Sequence, residues 1–384
     1  MNPKTAIVGV GETTYSRNSG MTATEILLQA SYRAVNDAGV KMSDIDGVVL
    51  PRLRTDLKIN EFEFYTHANL RFRAYAGMDA GAGVVNAIEL AQLALQNGQA
   101  NYVLLYIGAN QVSEKEKSSP RGIHQEDLYK RNCEIPFGFF PQPVYFGSIA
   151  TRYSKLYGNI ENQQAAIAVN TRKHAILNGN AQMTKPMTVE DYFRSPLLAE
   201  PLRLLDCCVM TDGAAAIVLT TEERAKDLAR PGAAILGIAA AGLNPASPFF
   251  FTQTPDPLTT SAVQTAPIAF AQAGVTHEDI DVLEIYDSFT INVILQLEDL
   301  GFCPKGEGAR FIGNGETISL DGKLPLNTHG GLLSQGYMYG MAHVIEAVKQ
   351  LRGEAGLAQV KDAKISLVSG FGGWFQGTLI LGGN

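Results

Sequence analysis

The sequence uses one short pattern twice. Ala38-Gly39-Val40 is followed three residues later by Asp44-Ile45-Asp46, and Ala273-Gly274-Val275 is followed at the same spacing by Asp279-Ile280-Asp281. Each copy follows an Ala-rich segment with helical periodicity and precedes a short apolar run typical of a strand. Glycine after a last helical turn would explain Ala-Gly-Val alone. Because the spacing and the flanking segments also match, the pattern favours a duplicated strand–helix–strand unit in an α/β protein.

The two copies predict equivalent elements in two halves of the chain. The pairs are strand Thr5–Gly9 with Ala233–Gly237, helix 22–37 with 258–272, and strand Val48–Leu50 with Val282–Ile285. The N-terminal half is expected over residues 1–112, with a further helix over residues 84–97, and the C-terminal half over residues 233–384. Between them we expect an inserted loop domain over residues 113–205 and a return to the core over residues 206–232.

The composition of the 384 residues suits a soluble enzyme built on buried sheets. Hydrophobic residues make up 46% and charged residues 18%, and the net charge of −7 argues against a nucleic-acid surface. No apolar stretch is long enough to span a bilayer, and the N-terminus lacks a signal-peptide pattern, so we expect a cytoplasmic protein. The four cysteines are Cys133, Cys207, Cys208 and Cys303. Neither they nor the six dispersed histidines have the spacing of metal ligands, and no metal site is predicted.

Two glycine-rich segments stand near the C-terminus, Asn327 to Met341 and Ser369 to Gly377. Neither has the ending of a phosphate loop or the context of a dinucleotide fingerprint. We expect their glycines to let the backbone approach a thin ligand or to pack strands closely. The paired cysteines of Asp206-Cys207-Cys208 are most simply buried residues, since no histidine lies near them in sequence.

Together these features resemble the thiolase superfamily, especially its sterol-carrier-protein type, over essentially the whole chain. The segments that carry the resemblance, besides the duplicated halves, are Asp206-Cys207-Cys208, Asp212 to Ala216, Tyr286-Asp287-Ser288-Phe289, Asn327 to Met341, and Gly372-Gly373. The resemblance implies a thiolase-like five-layered αβαβα fold, in which two duplicated halves carry an inserted loop domain that helps to bind coenzyme A. It also implies a homodimer, paired through the strand Tyr102–Ile107.

The chain departs from the thiolase pattern where thiolases place their reactive groups. Gly81 stands at the position of the nucleophilic cysteine, and Gly336-Tyr337-Met338 replaces a Gly-His-Pro motif. Tyr286-Asp287-Ser288-Phe289 replaces an Asn-Glu-Ala-Phe-like motif, and no cysteine occurs from Ser369 to Trp374. An acyl-enzyme mechanism therefore lacks its nucleophile. Gly81 is expected to leave an empty volume where a thiol would stand.

Gly81, Tyr286 and Tyr337 resemble one branch of the superfamily, the steroid side-chain-cleaving aldolases. That resemblance implies an acyl-CoA lyase, a retro-aldolase that cleaves a β-hydroxyacyl-CoA, here a steroid side chain, into a ketone and a shorter acyl-CoA such as propionyl-CoA. Coenzyme A is then part of the substrate and no cofactor is expected. The resemblance also implies a small partner protein with an OB-fold and a zinc ribbon, in a heterotetramer.

The candidate catalytic residues are Tyr286 and Tyr337, because a phenol both donates and accepts hydrogen bonds and can transfer a proton. Either tyrosine could serve as the base for the hydroxyl proton or as the acid, and sequence leaves these roles open. Asp287 could orient a tyrosine or cap a helix. The tyrosines could also merely fill a dead pocket, although a decayed site would more simply fill with apolar residues.

The candidate substrate-binding residues are Gly81, His329, Gly331 and Gly372. His329 could donate to the thioester oxygen, although a lone loop histidine is more often structural. The cations considered for the phosphates of coenzyme A are Arg152, Arg172 and Lys173. Two alternative functions stay open: an acyltransferase or thiolase with a displaced nucleophile, such as Cys208 or Cys303, and a non-catalytic scaffold subunit of an acyl-CoA complex.

Overall fold

The computed structural model describes residues 4–49, 80–110, 113, 130–242, 256–373 and 375–383. Its strands are β1 Thr5–Glu12, β2 Gly47–Val49, β3 Val103–Asn110, β4 Leu197–Ala199, β5 Leu202–Arg203, β6 Asp212–Thr221, β7 Ala233–Gly242, β8 Val282–Ile285, β9 Ile365–Gly372 and β10 Phe375–Gly382. Its α-helices are α1 Ala23–Asp37, α2 Ala80–Gln96, α3 Gln142–Tyr157, α4 Glu161–Asn178, α5 Val189–Arg194, α6 Glu222–Ala225, α7 Ala262–Ala273, α8 Thr290–Asp299, α9 Gly308–Ile312 and α10 Met341–Arg352.

The main sheet repeats one strand order in two halves. The N-terminal half runs β2-β3-β6-β1 and the C-terminal half runs β8-β9-β10-β7, so each strand has an equivalent in the other half. In both halves the first pair is parallel and the remaining pairs are antiparallel. The halves meet where β1 pairs with β7 through Ala6 with Ala234 and Ile7 with Ala233. The predicted duplication is confirmed.

The repeated aspartates do the same work in both halves. The carboxylates of Asp44 and Asp279 each accept the backbone N–H three residues earlier, at 2.8 and 2.7 Å, and so close a short helical turn. Asp46 accepts two backbone N–H groups just before β3, and Asp281 accepts two at the start of β9, all at 2.8–2.9 Å. The second aspartate thus ties the turn to the neighbouring strand, which explains why the spacing recurs.

A glycine at the same place in β1 and β7 sets how closely an outer helix packs. A Cβ at Gly9 would overlap the carbonyl oxygen of Ala34 in α1, and a Cβ at Gly237 would overlap that of Ala269 in α7. Each helix therefore lies directly on its strand, and any side chain at these positions would push it away.

The helices complete five layers around the two half-sheets. α1 covers the outer face of the N-terminal half and α7 covers that of the C-terminal half. α2 and α10 lie between the halves and contact strands of both, which accounts for the burial of apolar side chains such as Val84, Ile88 and Val344. The predicted αβαβα class is confirmed.

Several element bounds differ from those expected from the sequence. α2 begins at Ala80 rather than at residue 84, which brings Gly81 into its first turn. Asp212 and Gly213 begin β6. Leu50 lies outside the described residues, as does most of residues 113–129. The three segment boundaries, at residues 112, 205 and 232, stay predictions. None of the described helices is long and apolar enough to cross a membrane.

Asp46→Ala and Asp281→Ala should destabilise the protein by similar amounts, about 1 kcal/mol each, because each removes the acceptor of two backbone N–H groups. Chemical denaturation of the two variants checks this, with exposed Asp227→Ala as the control. A loss confined to one of the two aspartates would contradict their equivalence.

Candidate active site

The backbone of Tyr286 is fixed at both of its polar groups. Tyr286 directly follows β8, its N–H donates to the carbonyl oxygen of Ser369 at 3.1 Å, and its own carbonyl accepts from Nε2 of Gln296 at 2.8 Å. The side chain is only 2% exposed. The phenol is therefore held in one place before any substrate arrives.

Tyr337 reaches the same point from a distant segment. It follows a π-helical turn, Gly331–Gln335, and its N–H donates to Oγ1 of Thr211 at 3.1 Å. The hydroxyl oxygens of Tyr337 and Tyr286 lie 2.8 Å apart, within hydrogen-bond distance, with the rings edge-on at 74°. The structure thus brings the two candidate tyrosines together. Because either hydroxyl can donate, the pair can pass a proton between its members.

The ring of Tyr286 fills the space beside Gly81. A Cβ on Gly81 would overlap the edge of this ring and would lie 2.8 Å from the backbone nitrogen of Phe371. The expectation of an empty volume at Gly81 is therefore wrong, because the tyrosine ring occupies it. A cysteine at this position and a tyrosine at position 286 exclude each other sterically.

The other candidate glycines have different surroundings. Gly372 ends β9, one residue after Phe371, whose ring lies 6.4 Å from that of Tyr286. Gly331 is buried, and a Cβ there would overlap the carboxylate of Asp287, so this glycine makes room for that carboxylate rather than for a ligand. Asp79, which shortly precedes Gly81, and Trp374, which shortly follows Gly372, lie outside the described residues.

His329 lies in the interior. It has no exposed surface, its Nδ1 is 2.8 Å from Oε2 of Glu284, and its ring centroid is 4.6 Å from that of His343. Burial lowers the pKa of His329 below its ordinary value. The imidazole is thus enclosed by buried side chains, and its expected donation to a thioester oxygen stays a prediction.

Two buried carboxyl groups below the tyrosines escaped the sequence analysis. Oγ1 of Thr328 lies 3.0 Å from Oε1 of Glu284 and 2.7 Å from Oε1 of Glu346. A hydroxyl has one proton, so it can donate to only one of these oxygens, and the other contact is favourable when that carboxyl is protonated. Burial raises the pKa of both groups, that of Glu284 to about 8. A glutamate within the apolar strand Val282–Ile285 was the available signal.

The cations considered for coenzyme A divide into one buried and two exposed residues. Arg172 is buried, and its guanidinium donates to Oγ of Ser334 and to the carbonyl oxygen of Lys185, both at 3.0 Å. It therefore ties α4 to the turn before Tyr337 and is not placed to meet a phosphate. Arg152 and Lys173 are exposed.

Comparison with known proteins identifies the family. The model for "Thiolase, N-terminal domain" matches residues 5–223, and the model for "Thiolase C-terminal domain-like" matches residues 248–383. The chain belongs to the thiolase superfamily. It is 35% identical to 17-hydroxy-3-oxo-4-pregnene-20-carboxyl-CoA lyase of Mycobacterium tuberculosis, over 92% of each chain.

Two further similarities point to the same branch of the thiolase superfamily. The chain is 33% identical to the steroid side-chain-cleaving aldolase of Thermomonospora curvata, over 98% of this chain and 97% of the relative. A solved structure, described as Ltp2-ChsH2(DUF35) aldolase, matches with 33% identity and a TM-score of 0.85, over 100% of this chain and 98% of that one.

The cysteines of this thiolase-like chain are poorly suited to attack an acyl group. Burial raises the pKa of Cys208 and of Cys303 to about 12, and it raises that of Cys207 as well. A thiol reacts as its thiolate, so these three are inert near neutral pH. Cys133 is exposed. Among the described residues, no group of His, Cys, Asp and Glu gathers as a metal site would require.

Gly81→Ala should lower the free energy of unfolding by about 1–3 kcal/mol, because the methyl group overlaps the ring of Tyr286. In a Tyr286→Ala background part of this cost should disappear, and the contact with the nitrogen of Phe371 should account for the rest. Denaturation of the wild type, the two single variants and the double variant measures the difference. An equal cost in both backgrounds would contradict the steric exclusion.

The Glu284→Gln variant should change how stability depends on pH. Between about pH 4.5 and pH 8 the unfolded chain releases the proton of Glu284 while the folded chain retains it, so this residue makes folding less favourable as the pH rises. The stability of the wild type relative to Glu284→Gln should therefore fall across this range, by at most about 1.4 kcal/mol per pH unit. Urea denaturation of both proteins from pH 5 to pH 8 measures this, with the exposed Asp227→Asn as the control. If the two plots of unfolding free energy against pH are parallel, Glu284 does not retain a proton in the folded chain.

Proposed function

We propose that this chain is an acyl-CoA lyase of the thiolase superfamily, which cleaves a β-hydroxyacyl-CoA by a retro-aldol reaction. The observation that carries the proposal is the contact between the hydroxyls of Tyr286 and Tyr337, 2.8 Å apart, beside the glycine that replaces the nucleophile. The relatives named as a carboxyl-CoA lyase and as a steroid side-chain-cleaving aldolase support the same reaction.

The reaction needs one base and one acid, and a tyrosine pair supplies both. A base takes the proton of the β-hydroxyl, the hydroxyl carbon becomes a ketone, and the electrons of the broken carbon–carbon bond move into the thioester as an enolate. An acid then returns a proton to the α-carbon and releases the shorter acyl-CoA. Because Tyr286 and Tyr337 share a hydrogen bond, the proton taken by one can be delivered by the other. No covalent intermediate is required.

The substrate in this proposal is a steroid side chain carried on coenzyme A, and the products are a ketone and an acyl-CoA such as propionyl-CoA. Coenzyme A enters as part of the substrate, and the protein supplies no cofactor. The names of both relatives support the steroid, since one is a pregnene-carboxyl-CoA lyase and the other cleaves steroid side chains.

We further propose a cytoplasmic assembly of a homodimer with a small OB-fold and zinc-ribbon partner, four chains in all. The name Ltp2-ChsH2(DUF35) aldolase joins two components, which supports a partner protein. For the dimer, β3 is the proposed edge: among the described residues β2 covers it only from Val103 to Leu105, and the stretch from Tyr106 onward pairs with β6 alone. Among the described residues, the uncovered edge of β3 therefore begins at Tyr106, within the expected strand Tyr102–Ile107.

The two alternative functions make different predictions about the same protein. An acyltransferase with a displaced nucleophile should lose its activity on thiol alkylation, whereas the lyase should survive it. A non-catalytic scaffold should bind acyl-CoA without turnover even when the partner protein is present. The raised pKa values of Cys208 and Cys303 weigh against the first alternative, and the ordered tyrosine pair weighs against the second.

Tyr337→Phe should lower kcat by about a hundred- to ten-thousand-fold, the usual contribution of an acid or base, while KM changes little. The ring remains, so the fold should be retained. Steady-state cleavage of a β-hydroxyacyl-CoA by the complex measures this.

The matched control replaces all four cysteines by serine or alanine, and most of the activity should remain. If one cysteine substitution abolishes cleavage while Tyr337→Phe leaves it intact, the chain is an acyltransferase and the lyase proposal fails.

A further inference from the structure

We infer that Asp287 is a positioning residue, which holds the hydroxyl of Tyr337 at that of Tyr286; the inference rests on the proposed function. Asp287 directly follows Tyr286 in sequence and has no exposed surface. Its Oδ1 accepts the N–H of Leu332 at 2.8 Å, and its Oδ2 accepts that of Leu333 at 3.4 Å. These two N–H groups belong to the first turn of the segment Gly331–Gln335, which ends two residues before Tyr337.

The carboxylate of Asp287 thus joins two segments that the sequence separates by about fifty residues. On one side, Tyr286 is fixed independently through Ser369 and Gln296. On the other side, the turn that leads to Tyr337 begins on the carboxylate, which suits the positive end of a helical turn. Gly331 permits this approach, because any Cβ there would overlap Oδ2.

His343 contributes a third donor to the same carboxylate. Its Nε2 lies 3.2 Å from Oδ1 of Asp287, so this nitrogen carries the proton of the imidazole. The ring of His343 runs nearly parallel to that of Tyr286, at 22° and with 6.2 Å between centroids. The donors thus reach Asp287 from both the turn and the helix α10, and they leave the carboxylate little freedom to rotate.

The distance between the hydroxyl oxygens of Tyr286 and Tyr337 is sensitive to the position of the turn that Asp287 holds. A hydrogen bond between hydroxyls of 2.8 Å is lost if one partner moves by about 1 Å, and a misplacement of that size costs about a hundredfold in rate. Other contacts of this segment hold it to segments other than that of Tyr286: Arg172 donates to Ser334, and the N–H of Val209 donates to the carbonyl oxygen of Leu332.

The test is a double-mutant cycle that measures cleavage by the wild-type complex and by Asp287→Asn, Tyr337→Phe and the double variant. Asparagine keeps the shape of the side chain but turns one acceptor into a donor, so one N–H group of the turn loses its partner. We expect kcat to fall about ten- to a hundredfold with KM nearly unchanged. In the Tyr337→Phe background the same substitution should cost almost nothing further, since no hydroxyl remains to be positioned.

Asp206→Asn is the matched control. Asp206 is also a fully buried carboxylate with several donors, among them the hydroxyls of Tyr192 and Thr290. Its substitution should lower stability, and any loss of kcat should be equal in both backgrounds. A structural defect alone therefore gives additive losses, whereas positioning gives a loss that vanishes without the hydroxyl of Tyr337.

The outcomes separate the inference from the function beneath it. If the wild-type complex cleaves no β-hydroxyacyl-CoA, the proposed function fails. If the wild type cleaves and Tyr337→Phe impairs it, but Asp287→Asn costs the same factor in both backgrounds, the positioning role is overturned. Should Asp287→Asn not fold, Gly331→Ala takes its place in the cycle, because its methyl group presses on the same carboxylate.

Discussion

The packing of the Tyr286 ring against Gly81 decides which chemistry the site can perform. The resemblance to thiolases puts a nucleophilic thiol at the position of Gly81, in the first turn of α2, where a Cβ would overlap the ring of Tyr286. The backbones of Gly340 and Gly370 lie so close to Gly81 that a Cβ on either would contact its backbone. The start of α2 therefore cannot shift to admit both a thiol at position 81 and the ring of Tyr286. Replacing the nucleophile by glycine therefore does more than remove a reactive group, because it admits a tyrosine to the centre of the site.

The duplication explains why groups from distant segments meet there. Helices α2 and α10 both lie between the half-sheets, and each begins beside the tyrosine pair, α2 with Gly81 and α10 just after Gly340. The segments after β8 and after the turn Gly331–Gln335 approach from the C-terminal half. A site at this seam is rigid, because shifting one layer would disturb the apolar packing on both faces of the middle layer.

The duplicated halves and the two tyrosines could be predicted from the sequence because each depends on short sequence patterns. The aspartates of the repeat bond to backbone groups nearby, so their spacing survives in the sequence, and Tyr286 and Tyr337 stand on motifs whose positions are shared with thiolases. The filled volume at Gly81 left no such trace, since it depends on how three distant segments pack. For the same reason the sequence does not reveal that His329, a candidate donor to the thioester oxygen, lies in the interior.

The buried carboxyl groups of Glu284 and Glu346 influence the charge of the interior near the tyrosine pair. Burying two ionised carboxylates side by side is costly, and a proton on one of the two removes the repulsion between them. A phenolate formed during turnover would then avoid the repulsion that a pair of ionised glutamates would exert. In the proposed mechanism, a proton on one of these glutamates would reduce the negative charge near the tyrosine pair without itself being transferred.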